Sequence, residues 1–159
     1  MNGMRILLPI DPQALAQAVV NALFARDQAS HTLGMQLAAA APGYVRVTMT
    51  VRPDMLNGLG ACHGGFIFTL ADSAFALACN SYNQNTVASG CIIDFLAPGR
   101  LGELLTAEAV EQSLSGRVGV YDITVTNQNG KRIALFRGRS YRINGEVIDA
   151  AALPTPLDG

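Results

Sequence analysis

The sequence predicts an α+β fold in which an antiparallel β-sheet wraps around one long central α-helix. Three observations carry that expectation. The stretch Gly64–Asn80 is apolar on almost every side, so as a helix it must be surrounded by other structure. Four segments after it have the composition of strands and are separated by turn-forming pairs. Before it stand a capped helix and a strand pair, with no internal repeat, low-complexity run or second domain.

Element by element, "DPQALAQAVVNALFARD" opens with Asp11 as an N-cap and Pro12 at the first helical position. Leu15, Val19, Ala22 and Leu23 then give this helix one apolar face. After Gly34, "MQLAAAAPGYVRVTMTV" reads as two strands joined at Pro42-Gly43. In the second, Val45, Val47, Met49 and Val51 point one way, and Arg46, Thr48, Thr50 and Arg52 the other. The loop "RPDMLNGLGACHGG" leads into the long helix, which ends near Asn80. The strands that follow are "TVASGCIIDFLAP", "GELLTAEAVEQSLS", "RVGVYDITVTNQ" and "KRIALFRGRSYRI". Turns are expected at Pro98-Gly99, Ser115-Gly116 and Asn129-Gly130, the last a strong hairpin signal. One domain over residues 1–150 and a poorly ordered tail over 151–159 complete the reading.

Composition narrows the function classes. Half of the 159 residues are hydrophobic and only 14% are charged, which suggests that subunits cover one another. Eleven basic against twelve acidic residues give a net charge of -1, the wrong balance for a nucleic-acid binder. Cys62, Cys79 and Cys91 lack metal-ligand spacing and suit reduced thiols. The N-terminal run is too short for a signal peptide, and Gly64–Cys79 is too short to span a bilayer. A soluble, cytoplasmic protein is expected.

No G-x-S-x-G elbow, H-E-x-x-H pair or phosphate-cradling glycine loop occurs. Cys62 and His63 are adjacent and can be drawn as a nucleophile and base, although sequence neighbours seldom face each other productively. What remains is His63, Gly64, Gly65 and Asp72, with Asn57 upstream. "HGG" opens a helix whose first N–H groups lack partners, which makes it either an oxyanion site or simply a tight helix start. Asp72 is a carboxylate among apolar neighbours, and no Lys or Arg occurs from Pro53 to Pro98. It is therefore either hydrogen-bonded by Ser73, Asn57 or backbone, or kept for reaction.

Geometry adds a constraint. At ~1.5 Å per residue, Asp72 lies about 12 Å along the helix from Gly64, too far for both to serve one carbonyl. Two antiparallel helices about a two-fold axis can pair the amide of one with the acid of the other, so a dimer with two equivalent sites is expected.

The pattern "N-G-x-G-x-C-H-G-G-x-x-x-x-L-A-D", with the strands from "DFLAPG" to "GRSYRI", resembles the hotdog-fold acyl-CoA thioesterases, in their PaaI-type branch. The resemblance runs from about Met35 to Val147 and includes the N-terminal helix. It implies a hotdog fold, a homodimer paired again into a tetramer, and no cofactor or metal. It further implies hydrolysis of a phenylacetyl-type or hydroxyphenylacetyl-type aryl-CoA to the free acid and CoA, a role in phenylacetate degradation. In that scheme Gly64 polarises the thioester carbonyl and His63 orients that carbonyl or its loop. Asp72 of the facing subunit activates water or attacks directly, Asn57 holds the water or His63, and Ser73 assists Asp72. A noncatalytic acyl-CoA sensor and a hotdog hydratase or dehydratase are the alternatives.

Seven of the eleven basic residues lie from Arg100 onward, and Arg100, Arg117, Arg137 and Arg139 are candidates for the CoA phosphates. Phe66, Phe68 and Phe75 either meet the acyl group or belong to the core. Ser89 and Cys91 are candidates for the site wall, and His31 for a surface or helix-end position.

Overall fold

The computed structural model describes residues 10–153, and the expectations for the extreme N-terminus and for residues 154–159 lie outside them. Helix α1 (Pro12–Arg26) starts where the capping pattern places it, with the Asp11 carboxylate accepting from Ala14 N at 2.9 Å. Its buried face is centred on Ala16, Val19 and Val20, rotated from the face expected. The run "ALAQAVV" is apolar nearly all round, so its periodicity could not set the rotation. A short α2 (Gln28–Thr32), absent from the sequence reading, follows with Asp27 as its N-cap. His31 sits in its last turn and contacts the Phe24 carbonyl at 2.9 Å.

Strands β1 (Gln36–Ala41) and β2 (Tyr44–Thr50) form the expected hairpin, turning at Gly43 with φ +68°. Val45, Val47, Met49 and Val51 all point into the core. A single 3-10 turn at Pro53–Met55 opens the loop before α3 (Gly64–Asn80), and β3 (Thr86–Phe95), β4 (Leu104–Ser115), β5 (Val118–Thr126) and β6 (Arg132–Arg142) follow.

These strands make one antiparallel six-stranded sheet in the order β1-β2-β4-β5-β6-β3. Gly116 and Gly130 turn their hairpins in the left-handed region, as expected. Pro98-Gly99 does not make a hairpin. The chain leaves β3 at one edge and crosses to β4, in the middle of the sheet, while β3 pairs with β6.

Leu70, Ala71, Ala74, Phe75, Leu77 and Ala78 of α3 are buried against the curved inner face of the sheet. Phe75 presses so closely on Gly138 of β6 that a Cβ there would lie 2.7 Å from its ring. Phe75 also meets Tyr121 and Phe136, and Phe68 packs edge-on against Phe136. The aromatic rings of this helix therefore face core neighbours. Ser81 clamps the far end of α3: its Oγ donates to Ala78 O and accepts from Gly43 N. The helix is not wrapped completely, because Gly65, Thr69, Asp72 and Ala76 form a stripe that the sheet leaves uncovered.

Candidate active site

The loop before α3 is organised by Asn57. Its Oδ1 accepts from Leu59 N at 2.9 Å and Ala61 N at 3.1 Å, and its own N–H donates to Ala61 O at 2.7 Å. Two further bonds fix the approach to the helix: Cys62 N donates to Gly99 O and His63 N to Met55 O. His63 is the N-cap, and its Nδ1 accepts from Gly65 N at 2.9 Å. That leaves Nε2 as the donor of the ring. The N–H groups of Phe66 and Ile67 fold back onto His63 O. The Gly64 N–H donates to no acceptor among the described residues, so the end of the helix dipole is left with one free donor.

A cavity of about 580 Å³ lies against this amide, bordered by Asn57, Ile67, Phe95 and Leu96, with Arg100 among its lining residues. The Phe95 ring stands where a side chain at 64 would point, 3.0 Å from the position of a Cβ. Only glycine lets the ring and the helix end approach this closely. Cys62 is buried, with its thiol pushed up by desolvation and its Sγ 3.8 Å from the His63 carbonyl. The protonated thiol argues against a cysteine nucleophile.

Asp72 lies on the uncovered stripe of α3, half-buried. Among the described residues its carboxylate has neither a hydrogen-bond donor nor an ion-pair partner. Burial, and then the nearby charge of Asp27, hold its pKa above the usual aspartate value. Neither Ser73 nor Asn57 bonds to it: the Ser73 hydroxyl lies 3.0 Å from Ser30 Oγ, and Asn57 is spent on its own loop. Burial raises the thiols of both Cys79, to about 12, and Cys91, and the charge of Asp72 adds to each in the same direction. Ser89 sits at a bulge in β3 and donates to Arg139 O at 3.1 Å.

The four arginines do not cluster. Arg100 borders the Gly64 cavity. Arg117 donates to Arg142 O and Asn144 Oδ1, at the end of the β4–β5 hairpin. Arg139 folds over Gly90 on the sheet face away from α3. Arg137, on that same face, is engaged through Nε and Nη2 by Asp122 at 2.6 and 2.7 Å, which holds the Asp122 carboxyl below its usual range. Two contributors had no signal in the sequence reading: Phe95, which resembled any strand-end aromatic, and Asp27, which resembled only a helix cap.

The sequence pattern of the Thioesterase superfamily matches residues 59–134, the stretch that holds the amide end, Asp72 and the strands around them. The chain is 47% identical over 131 residues to the acyl-coenzyme A thioesterase PaaI of Escherichia coli K12, covering 82% of this chain and 94% of that protein. The solved structure of the E. coli PaaI protein, from the phenylacetic acid degradation operon, superimposes with a TM-score of 0.84 at 46% identity, over 86% of this chain and 99% of that one. A hypothetical thioesterase of Streptococcus pneumoniae TIGR4, solved with coenzyme A, matches with a TM-score of 0.68 at 27% identity, over 70% of this chain and 88% of that one. With its hotdog sheet around α3, this chain belongs to the thioesterase superfamily, in the acyl-CoA thioesterase family of E. coli PaaI.

Proposed function

We propose that this chain hydrolyses an acyl-CoA to the free acid and CoA, at sites shared between two copies. The observation that carries the reading is Asp72: a carboxylate without a partner among the described residues, on the stripe of α3 that the sheet leaves uncovered. A thioester is already an activated acyl group, so it needs an oxyanion donor, a placed water and one base. Gly64 N–H donates to the carbonyl oxygen and stabilises the charge that develops there. Asp72 of the other copy takes a proton from water as the water adds to the carbonyl carbon. The tetrahedral intermediate then expels the CoA sulfur, which receives that proton, and the acid is released. His63 and Asn57 serve by holding the helix end open, and Arg100 is the arginine we assign to the CoA phosphates.

The edges of the sheet support the pairing. Gln13 of α1 bonds to Ala40 O at the β1 edge. The β3 edge is ten residues long, lacks Lys and Pro, and exposes Val87, Ile92 and Phe95. Such an edge is a template for another strand. Joining β3 to a second β3 about a two-fold axis runs the two α3 helices antiparallel on one side of a continuous sheet. A pair of such dimers would cover Val110, Val118 and Tyr141 on the outer face. The three free cysteines suit a reducing cytoplasm. Phenylacetyl-CoA and hydroxyphenylacetyl-CoA are the first substrates to test, given the operon of the E. coli relative.

Mixing Gly64→Pro with Asp72→Ala subunits tests the shared site. Hybrid dimers should hold one working site and regain thiol release from phenylacetyl-CoA that neither parent shows. Hybrids verified by mass yet inactive would sink the shared site. Tight CoA binding by the wild type without thiol release from any acyl-CoA would favour a sensor.

A further inference from the structure

We infer that Asp27 is a positioning residue for the Asp72 carboxylate, holding a second acidic group against the face of α3 that carries it. The inference rests on the reading of Asp72 as the group that activates water. Asp27 lies at the junction of α1 and α2, outside the residues that match the superfamily pattern. Its carboxylate accepts from Ser30 N at 3.1 Å and from Ser30 Oγ at 2.5 Å. Ser30 Oγ in turn lies 3.0 Å from Ser73 Oγ, next in sequence to Asp72, and both serines are buried. A hydroxyl has one proton, and Ser30 gives its own to Asp27, so Ser73 donates to Ser30. The two serines thus bridge the α1–α2 junction to the turn of α3 that carries Asp72.

A shared cleft places Asp27 beside the same helix face. Asp27 borders a cleft with Ala76 and Asn80, which lie one and two turns beyond Asp72 on the same helix face. Arg26 borders that cleft too, but its guanidinium donates to Ala22 O and Val147 O, and Asp27 makes no ion pair among the described residues. The Asp27 charge is therefore held by hydrogen bonds from Ser30 and not by an ion pair, while Arg26 stays charged at the border of the cleft. The Asp27 charge disfavours ionisation of Asp72 in the same direction as burial does, which makes the ionised carboxylate a stronger base.

The other titratable groups facing this region are the Cys79 thiol of α3 and the Cys91 thiol of β3, both raised by burial and so uncharged. Arg139 of β6 acts on Cys91 in the opposite sense, and His31 of α2 is engaged by Phe24 O.

Asp27→Asn tests the inference, because asparagine keeps an oxygen to accept from Ser30 N and removes the charge; its amide then donates to Ser30 Oγ, whose own proton turns to Ser73. The kcat/KM of phenylacetyl-CoA hydrolysis is followed against pH for the wild type, Asp27→Asn, Ser73→Ala and Asp72→Asn. The acid limb of Asp27→Asn should move to lower pH, so that well below the wild-type midpoint the variant keeps about threefold more of its own plateau activity than the wild type. The change should lie in kcat and not in KM. Ser73→Ala, which breaks the hydroxyl bridge, should move the limb less and the same way. Carboxyl-carbon NMR of Asp72, assigned by its loss in Asp72→Asn, reads the same displacement even in a variant whose activity is low. An unmoved acid limb and an unmoved Asp72 titration in Asp27→Asn, with Asp72→Asn inactive, overturn the inference and leave the reading of Asp72 standing. Wild-type turnover by Asp72→Asn overturns both.

Discussion

The two stretches of α3 to which we assign the chemistry are built in opposite ways. At its start every local contact is supplied by the chain itself: Asn57 shapes the loop, the Cys62 and His63 amides are tied down, and the His63 ring caps Gly65. The Gly64 N–H is what this framework leaves over, beside a cavity. Two turns on, the Asp72 carboxylate receives no hydrogen bond among the described residues and lies half-buried on the stripe that the sheet leaves uncovered. In the proposed reading the first region is one half of a site and the second the other half. Lying about 12 Å apart on one helix, the two would make whole sites by meeting a second copy of the chain.

The sharpest way to break this comparison is to delete the Asp72 half. Asp72→Ala should lower kcat on phenylacetyl-CoA at least about a hundredfold, the lower end of what a general base contributes. Circular dichroism and dimer content should be unchanged, since Asp72 makes no hydrogen bond among the described residues. Equal thiol release by variant and wild type would remove Asp72 from the chemistry.

The Gly64 half should respond to a single methyl group. Gly64→Ala keeps the N–H but brings a Cβ to 3.0 Å from the Phe95 ring. Phe95 is half exposed and can swing away, and the direction open to it is the cavity. Activity should fall about tenfold while stability holds or rises by about 0.5 kcal/mol, as alanine suits a helix better than glycine. Adding Phe95→Leu should restore most of the loss. A double variant as poor as Gly64→Ala would show that the ring is not what makes position 64 sensitive.

Much of this was legible in the sequence, and the parts that were not share a cause. Strand alternation placed Val45 to Val51 correctly, and the "HGG" spacing gave the N-terminus of α3 to the residue. Those signals are local and periodic. The pairing of β3 with β6 is not local, and Pro98-Gly99 looks the same whether it turns a hairpin or begins a crossover. The rotation of α1 was hidden because Ala16, Val19 and Val20 share their helix with other apolar residues. The resemblance gave Ser73 the part of assisting Asp72, and the sequence had no signal for the Ser30 hydroxyl that Ser73 meets across the α1–α2 junction. The arginines were grouped by their position along the chain, but strand alternation turns Arg137 and Arg139 to the face away from α3.

The smallest effect expected concerns stability, and it separates the two regions by sign. A group kept ready for reaction costs the fold something, whereas a capping group supports it. Burial and Asp27 raise the folded-state pKa of Asp72 above its unfolded value, so the native state binds this proton more tightly than the unfolded chain does. Below the ordinary aspartate pKa the group is neutral in both states and carries no penalty. As pH rises through the folded pKa the native state must hold a poorly solvated charge, and stability declines. Asp72→Asn should therefore raise Tm at neutral pH, with the gain fading as the pH falls from the raised folded pKa toward the usual aspartate value and absent below it. His63→Ala should lower Tm at neutral pH, because it removes the cap on Gly65 N. Paired melting curves across that range check both signs, and a Tm gain for Asp72→Asn that grows toward acid would mean the carboxylate is stabilised in the fold after all.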